Sequence, residues 1–232
     1  MDQGIFPAKK MSSPITIFSS FIAKLSSTAP DGATLGQNTL QSAKISLAGL
    51  FLGIVVGTPL GLLMGWYKSV DRIVKPLFEL VRPVPPIAWI PLTIIWVGVG
   101  DVAKIFIIFL SAFIPCVLNA HSGIRQTSPV LINMAKTFGA SNFETFRKIG
   151  VPSAIPMMFA GIRIALGLAW STLVAAELLA ANAGLGYMIT MGRQFQRADI
   201  IMLGMIVIGL LGFSVTGIFS LIERRFMKWS EI

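Results

Sequence analysis

The sequence predicts an all-α fold, a polytopic bundle of about five membrane-spanning helices, on three observations. Of the residues, 54% are hydrophobic and only 12% charged, with a mean hydropathy of +0.78. A water-soluble domain carries about a quarter charged residues, so the solvent for this chain is lipid. The charges are also bunched, leaving charge-free intervals between Lys44 and Lys68, Arg82 and Asp101, Lys104 and Arg125, and Asp199 and Glu223. Finally, Gly49, Gly53, Gly57, Gly61 and Gly65 recur at every fourth position. They form one side-chain-free stripe where a second helix backbone approaches closely.

Roughly 20 apolar residues cross a hydrocarbon core of about 30 Å, and the first, third and fourth of these intervals meet that length. The second is short and holds Pro83, Pro85, Pro86 and Pro91. It reads as a broken or tilted span, since proline removes a backbone donor that protein neighbours must compensate in lipid. A further span, about residues 159–181, is interrupted by Glu177. Gly161, Ala165 and Ala169 repeat the small-residue device there. The domain expectation is an arm over 1–39, a transmembrane domain over 40–222 containing an insert at 125–158, and a tail over 223–232.

Orientation follows from Lys and Arg in the short loops. The loop from Tyr67 to Pro86, the insert and the tail hold most of them and fall on one side, which assigns insert and C-terminus to the cytoplasm. The net charge of +9 is mostly this topology signal, and a nucleic-acid partner is not expected without a basic soluble domain. Residues 1–39 then lie outside, although they carry Lys9, Lys10 and Lys24 and begin with no signal peptide. Either they follow the outer membrane surface or an upstream span is missing. Ile15, Phe18, Ile22 and Leu25 fall at helical spacing, which suits an interfacial helix or, alternatively, a loosely packed arm.

Candidate chemistry is sparse. Cys116 is a lone thiol beside Pro115 and reads as a small hydrophobe. His121 has no Cys, His or carboxylate at metal-ligand spacing, so no metal site is expected. No Gly-rich phosphate loop ending in Lys-Ser or Lys-Thr occurs, so ATP and Mg are not expected on this chain. No pair of catalytic groups points to an intramembrane enzyme.

The insert is the informative part. Ser128-Pro129 offers a capping oxygen and a proline at the first helical position, and Gly139 supplies the stop. Ser141 and Glu144 match a reciprocal capping box opening a second short helix, about residues 142–149, that ends at Gly150 and Pro152. Phe143, Phe146 and Ile149 fall near one face of that helix. This is a shape for docking into a groove on another protein. The plainer reading is a structured loop with its aromatic residues among lipid headgroups.

The spacing of Ala135, Gly139, Ile149 and Pro152 resembles the EAA loop of ABC-importer permeases, with Asn133, Met134 and Val151 departing from its letters. Val84 to Leu92, Gly161 to Leu178 and Gly184 to Met188 are similar to permeases of nitrate, sulfonate and taurine importers, most of all the taurine type. The resemblance implies a membrane permease whose second copy completes the path. It also implies two cytoplasmic ATPase subunits that bind ATP and Mg, and a periplasmic or lipid-anchored solute-binding protein, in a bacterial inner membrane. The insert would then be the lever moved by the ATPase.

Glu177 is a carboxylate at membrane depth and must face protein or water. It shares a helical face with Trp170 and Val174. A gating role, or anchoring by the Gly184 to Gly186 turn, suits an anion importer better than direct coordination. Arg163 at the inner end of the same span is expected to meet the insert or lipid phosphate, or to serve as a cationic way-station. The rival reading is an ion-coupled secondary transporter with Glu177 as relay, which commonly shows internal repeats; none is found here. Taurine, other sulfonates, nitrate, bicarbonate and heterocycles all remain open as substrates.

Overall fold

The computed structural model describes residues 12–226. Lys9, Lys10 and the end of the expected tail lie outside them. The described chain is helical throughout, without a strand.

Helix α1 spans Pro14–Ser26, capped by Ser13 and opened by Pro14. Ile15, Phe18, Ile22 and Leu25 are exposed along it. It is not a loose arm, because Ser20 donates a 2.5 Å hydrogen bond to Asp199 at the start of the last helix. Helix α2, Leu35–Trp66, starts at a Thr34–Gln37 capping box. It therefore begins well before Lys44, and the expected arm boundary at 39 falls inside it. Asn38 and Ser42 are polar yet buried there. Charge-free intervals do not reveal this turn, because its polar groups are satisfied by protein rather than by water.

The loop expected from Tyr67 to Pro86 is instead mostly helix: α3 spans Lys68–Val81. It is strongly two-faced, with Val70, Val74 and Phe78 packed inward. A 79° bend at the prolines separates it from the next helical segment, a 3₁₀ turn at Pro86–Trp89 leading into α4, Ile90–Val97. Helix α5 is Asp101–Arg125.

Helices α2 and α5 run parallel. A Cβ added at Gly49 would meet Ile108 at 2.6 Å, at Gly53 Ala112 at 2.5 Å, and at Gly61 the Val117 carbonyl. Partner numbers rise together along both helices. The stripe is thus filled by the α5 backbone itself, close packing that substitutes for a hydrophobic driving force in lipid. Parallel neighbours also require the chain between them to return across the bundle. The bent α3–α4 segment is that return, so among the described residues four long apolar helices and one broken crossing make five passes.

Helices α6, Pro129–Thr137, and α7, Asn142–Thr145, form the insert. A π turn at Phe146–Gly150 then leads into α8, Val151–Ala180. Helix α9 is Leu185–Gln194, and α10 is Ala198–Phe226. Gly123 of α5 packs on Ala154 and Met157, and Gly161 on Asn119, so α8 is antiparallel to α5. Phe159 lies 6.0 Å from Phe219, while Trp170 further along α8 meets Ile208 and Gly212, so partner numbers fall as α8 advances and α10 is antiparallel to it. The end of α10 and the insert therefore share one end of the bundle, with α1 and α9 at the other. Between α2, α5 and α8 lies a core of Ile45, Leu50, Ile108, Ala112, Cys116 and Leu173. The lone thiol is a packing group.

Candidate coupling insert and buried polar cluster

Ala135 and Gly139 close α6 through a backbone motif. The Ala140 N–H donates to the Ala135 carbonyl at 3.0 Å and the Gly139 N–H to the Lys136 carbonyl at 3.0 Å. This is the paired bonding of a Schellman end, and Gly139 sits at φ +80° as that end demands. The Ser128 side chain makes no capping bond, contrary to expectation, so Pro129 alone opens α6.

Ser141 and Glu144 form both arms of a capping box. Glu144 N–H donates to Ser141 Oγ at 3.2 Å, and Ser141 N–H to Glu144 Oε2 at 3.0 Å. The short helix that follows does not stop at Gly150 and Pro152. Pro152 lies in the first turn of α8, directly after the π turn, and the helix continues through both into the span. Gly150 instead makes room for an aromatic ring, since a Cβ there would meet Trp66 at 2.7 Å.

Trp66 is an anchor that sequence pattern alone does not reveal. Its Nε1 donates to Asn142 Oδ1 at 3.2 Å, and its ring lies 5.7 Å from that of Phe146. Phe146 is also 5.8 Å from the Tyr67 ring. Phe146 is therefore an inward packing residue and not a projecting knob. The exposed aromatic rings are Phe143, 62% accessible, and Phe138, 84% accessible. A concavity of about 360 Å³ beside them brings together Ala135, Phe138, Gly139, Glu144 and Ile149. An aromatic ring flanking a helix-ending glycine was the available signal for Phe138.

At the opposite end, Glu177 is 1% exposed and fully engaged. It accepts from Ser42 Oγ at 2.7 Å and from the Gly186 N–H at 2.8 Å. Ser42 Oγ in turn accepts from the Leu185 N–H at 2.9 Å, and Asn38 Oδ1 from the Gly184 N–H at 3.0 Å. The first amides of α9 are thus held by a carboxylate, a hydroxyl and a side-chain amide, the acceptors a helix start requires. Gly184 stands at φ +116°, and a side chain there would collide with the Glu177 carboxylate. At Gly186 a Cβ would fall 2.6 Å from that of Glu177. Both glycines are required by close approach.

Trp170 does not join this group. Its Nε1 donates to the Ile208 carbonyl at 3.2 Å and its ring covers Gly212, bracing α8 against α10. Arg163 does not pair with the insert; it pairs with Glu223 of α10. His121 lies 3.3 Å from Asp71 of α3. Asn38, Ser42 and Trp66 are the functional candidates that sequence patterns did not single out. A polar pair four residues apart at the head of an apolar helix was the signal for the first two.

Residues 45–228 match the family described as binding-protein-dependent transport system inner membrane component. The chain belongs to this family. The permease is 38% identical over 197 residues to the taurine transport system permease protein of Escherichia coli strain K12, covering 85% of this chain and 72% of that one. It is 33% identical over 226 residues to a putative aliphatic sulfonates transport permease protein of Bacillus subtilis strain 168, covering 97% and 80%. In fold it is similar to a chain of an amino acid ABC transporter, with a TM-score of 0.71, 13% identity, and 93% and 100% of the two chains covered. Permeases of this family are multi-span membrane subunits that work with an ATPase and a substrate-binding protein.

Proposed function

We propose that this permease carries taurine or a related small sulfonate inward, as one of two identical copies. On this reading the insert and the end of α10 face the cytoplasm, and separate ATPase subunits hold the ATP and Mg. A solute-binding protein delivers the anion to the opposite face. The observation that carries the coupling role is the insert's build: Phe138 and Phe143 are exposed, while Phe146 and Gly150 are locked beneath Trp66. Because α7 runs through the π turn straight into α8, displacement of the exposed rings moves the helix that carries Glu177. A load on one end reaches the other through a single rigid element. The differential affinity of the ATPase for ATP in two states is the free-energy source that such a switch requires.

The charge balance supports an anion as cargo through one further feature. Glu177 has its oxygens occupied by the Ser42 hydroxyl and the Gly186 amide, so the carboxyl group is engaged in holding the α8–α9 turn rather than offered to the path. An ion-coupled carrier that acts alone has less support, since the family works with an ATPase. The test is reconstitution of the permease in liposomes with its ATPase and binding protein. ATP-dependent uptake of labelled taurine, blocked by excess alkanesulfonate, is the expected outcome. Uptake that needs no ATP and disappears with the proton gradient overturns the proposal.

A further inference from the structure

The acceptors at Glu177 are only the last part of a longer buried chain. Lys24 of α1 is 1% exposed and spends all three ammonium protons inside the protein, on the Ala29 carbonyl at 3.0 Å, the Ala33 carbonyl at 2.6 Å and the Asp31 carboxylate. The other oxygen of Asp31 accepts from Asn38 Nδ2 at 2.5 Å. Asn38, fully buried, then presents Oδ1 to the Gly184 N–H. The chain therefore passes from α1 through the α1–α2 loop and across α2 to the turn joining α8 to α9.

Each link fixes the next. A side-chain amide has a donor end and an acceptor end, and nothing intrinsic decides which way it points. The Asp31 carboxylate decides it for Asn38, because only the NH₂ end can face an acceptor-only group. Turned over, Asn38 would set its NH₂ against the Gly184 N–H and leave two donors in conflict. Asp31 in turn is a buried charge that persists because Lys24 neutralises it. The lysine thus determines an orientation on the far side of α2.

We propose that Lys24 is a positioning residue of transport: through Asp31 and Asn38 it holds the α8–α9 turn that carries Gly184 and Gly186 against Glu177. In the importer reading above, on which its role in transport rests, this turn lies at the end of the bundle that meets the solute-binding protein. Helix α1 also bonds to the start of α10 through Ser20 and Asp199, so it bridges both connections of α9. Substrate release from the binding protein then meets a turn whose resting shape is set from α1.

The test uses the full permease–ATPase complex in liposomes with a spin label at Asn182→Cys, an exposed position in the turn; Cys116, the only native thiol, is buried. Lys24→Met is expected to raise label mobility as much as Asn38→Ala does. The double variant should be no more mobile than either, as members of one chain are not additive. Uptake stimulated by binding protein should fall by about tenfold, the scale of a lost charged hydrogen bond, with basal ATP hydrolysis unchanged. Should Lys24→Met leave too little folded protein, Lys24→Met combined with Asp31→Ala removes the stranded charge and should show the same mobility. Label mobility unchanged in these Lys24 variants while Asn38→Ala raises it overturns the proposal. So does an additive double variant. Mobility changes as expected in a complex whose parent shows no ATP-driven uptake would instead remove the importer reading and leave the clamp standing.

Discussion

Ser42 and Glu177, 135 residues apart in sequence, are joined by a 2.7 Å hydrogen bond between two fully buried side chains. The same hydroxyl accepts from Leu185, so one serine on α2 couples α8 to the start of α9. Removing either side chain leaves buried donors or acceptors unmet, at about 1–3 kcal/mol for each orphaned group. Glu177→Ala strands the Ser42 hydroxyl and the Gly186 amide, and Ser42→Ala strands the Leu185 amide and a Glu177 oxygen; Glu177→Ala also empties the larger buried volume and is expected to destabilise more. Glu177→Gln keeps one acceptor and should fall between wild type and Glu177→Ala. Thermal unfolding of the detergent-solubilised protein ranks the three.

Gly186→Ala is expected to displace α9 from α8, because its Cβ would lie 2.6 Å from that of Glu177. Gly36→Ala is the control, since nothing lies within 4 Å there and the position is helical. The control should be neutral or slightly stabilising, by up to about 1 kcal/mol. Protease sensitivity at the α8–α9 turn, high in Gly186→Ala and unchanged in Gly36→Ala, is the measurement.

The parallel packing of α2 on α5 makes a similar prediction with a different readout. Gly61→Ala pushes a methyl into the Val117 carbonyl, a backbone atom that cannot swing aside. Overpacking of this kind costs about 1–3 kcal/mol. Yield of folded, monodisperse protein should drop sharply for Gly61→Ala and stay normal for Gly36→Ala.

Much of this architecture is legible in the chain. The glycine stripe announces a close helix partner, and Gly139 with the Ser141–Glu144 pair sets the turn of the insert, because each depends on local backbone chemistry. Polarity of the buried turn at Asn38 and Ser42 is not legible as membrane structure, since hydropathy cannot tell a satisfied polar group from a solvated one. Helix α3 is hidden because an amphipathic helix with charges on one face has the composition of a loop. Phe146 looks like a knob in sequence for a related reason. Periodicity gives its face on the helix, but only the tertiary position of Trp66 and Tyr67 says what covers that face.

Trp66 ties the insert to the bundle, so its loss should weaken both stability and coupling. Trp66→Ala removes the partner of Asn142, Phe146 and Gly150. A cost of about 2 kcal/mol or more is expected for so large a packing defect. Trp66→Phe, which keeps an aromatic ring and loses the indole donor, should recover most of it. Unfolding midpoints and ATP-driven uptake measured on both variants should move together.

The exposed rings of the insert are the surface on which the ATPase is proposed to sit. The permease carrying both Phe138→Ala and Phe143→Ala, co-expressed with its ATPase, is to be purified and the retained ATPase quantified. Paired aromatic anchors at an interface centre should lower retention by about tenfold or more, with little change in the unfolding midpoint because both rings are mostly exposed and Phe143 meets the bundle through Phe146. Full retention of the ATPase by that double variant would mean that the insert is not its docking surface.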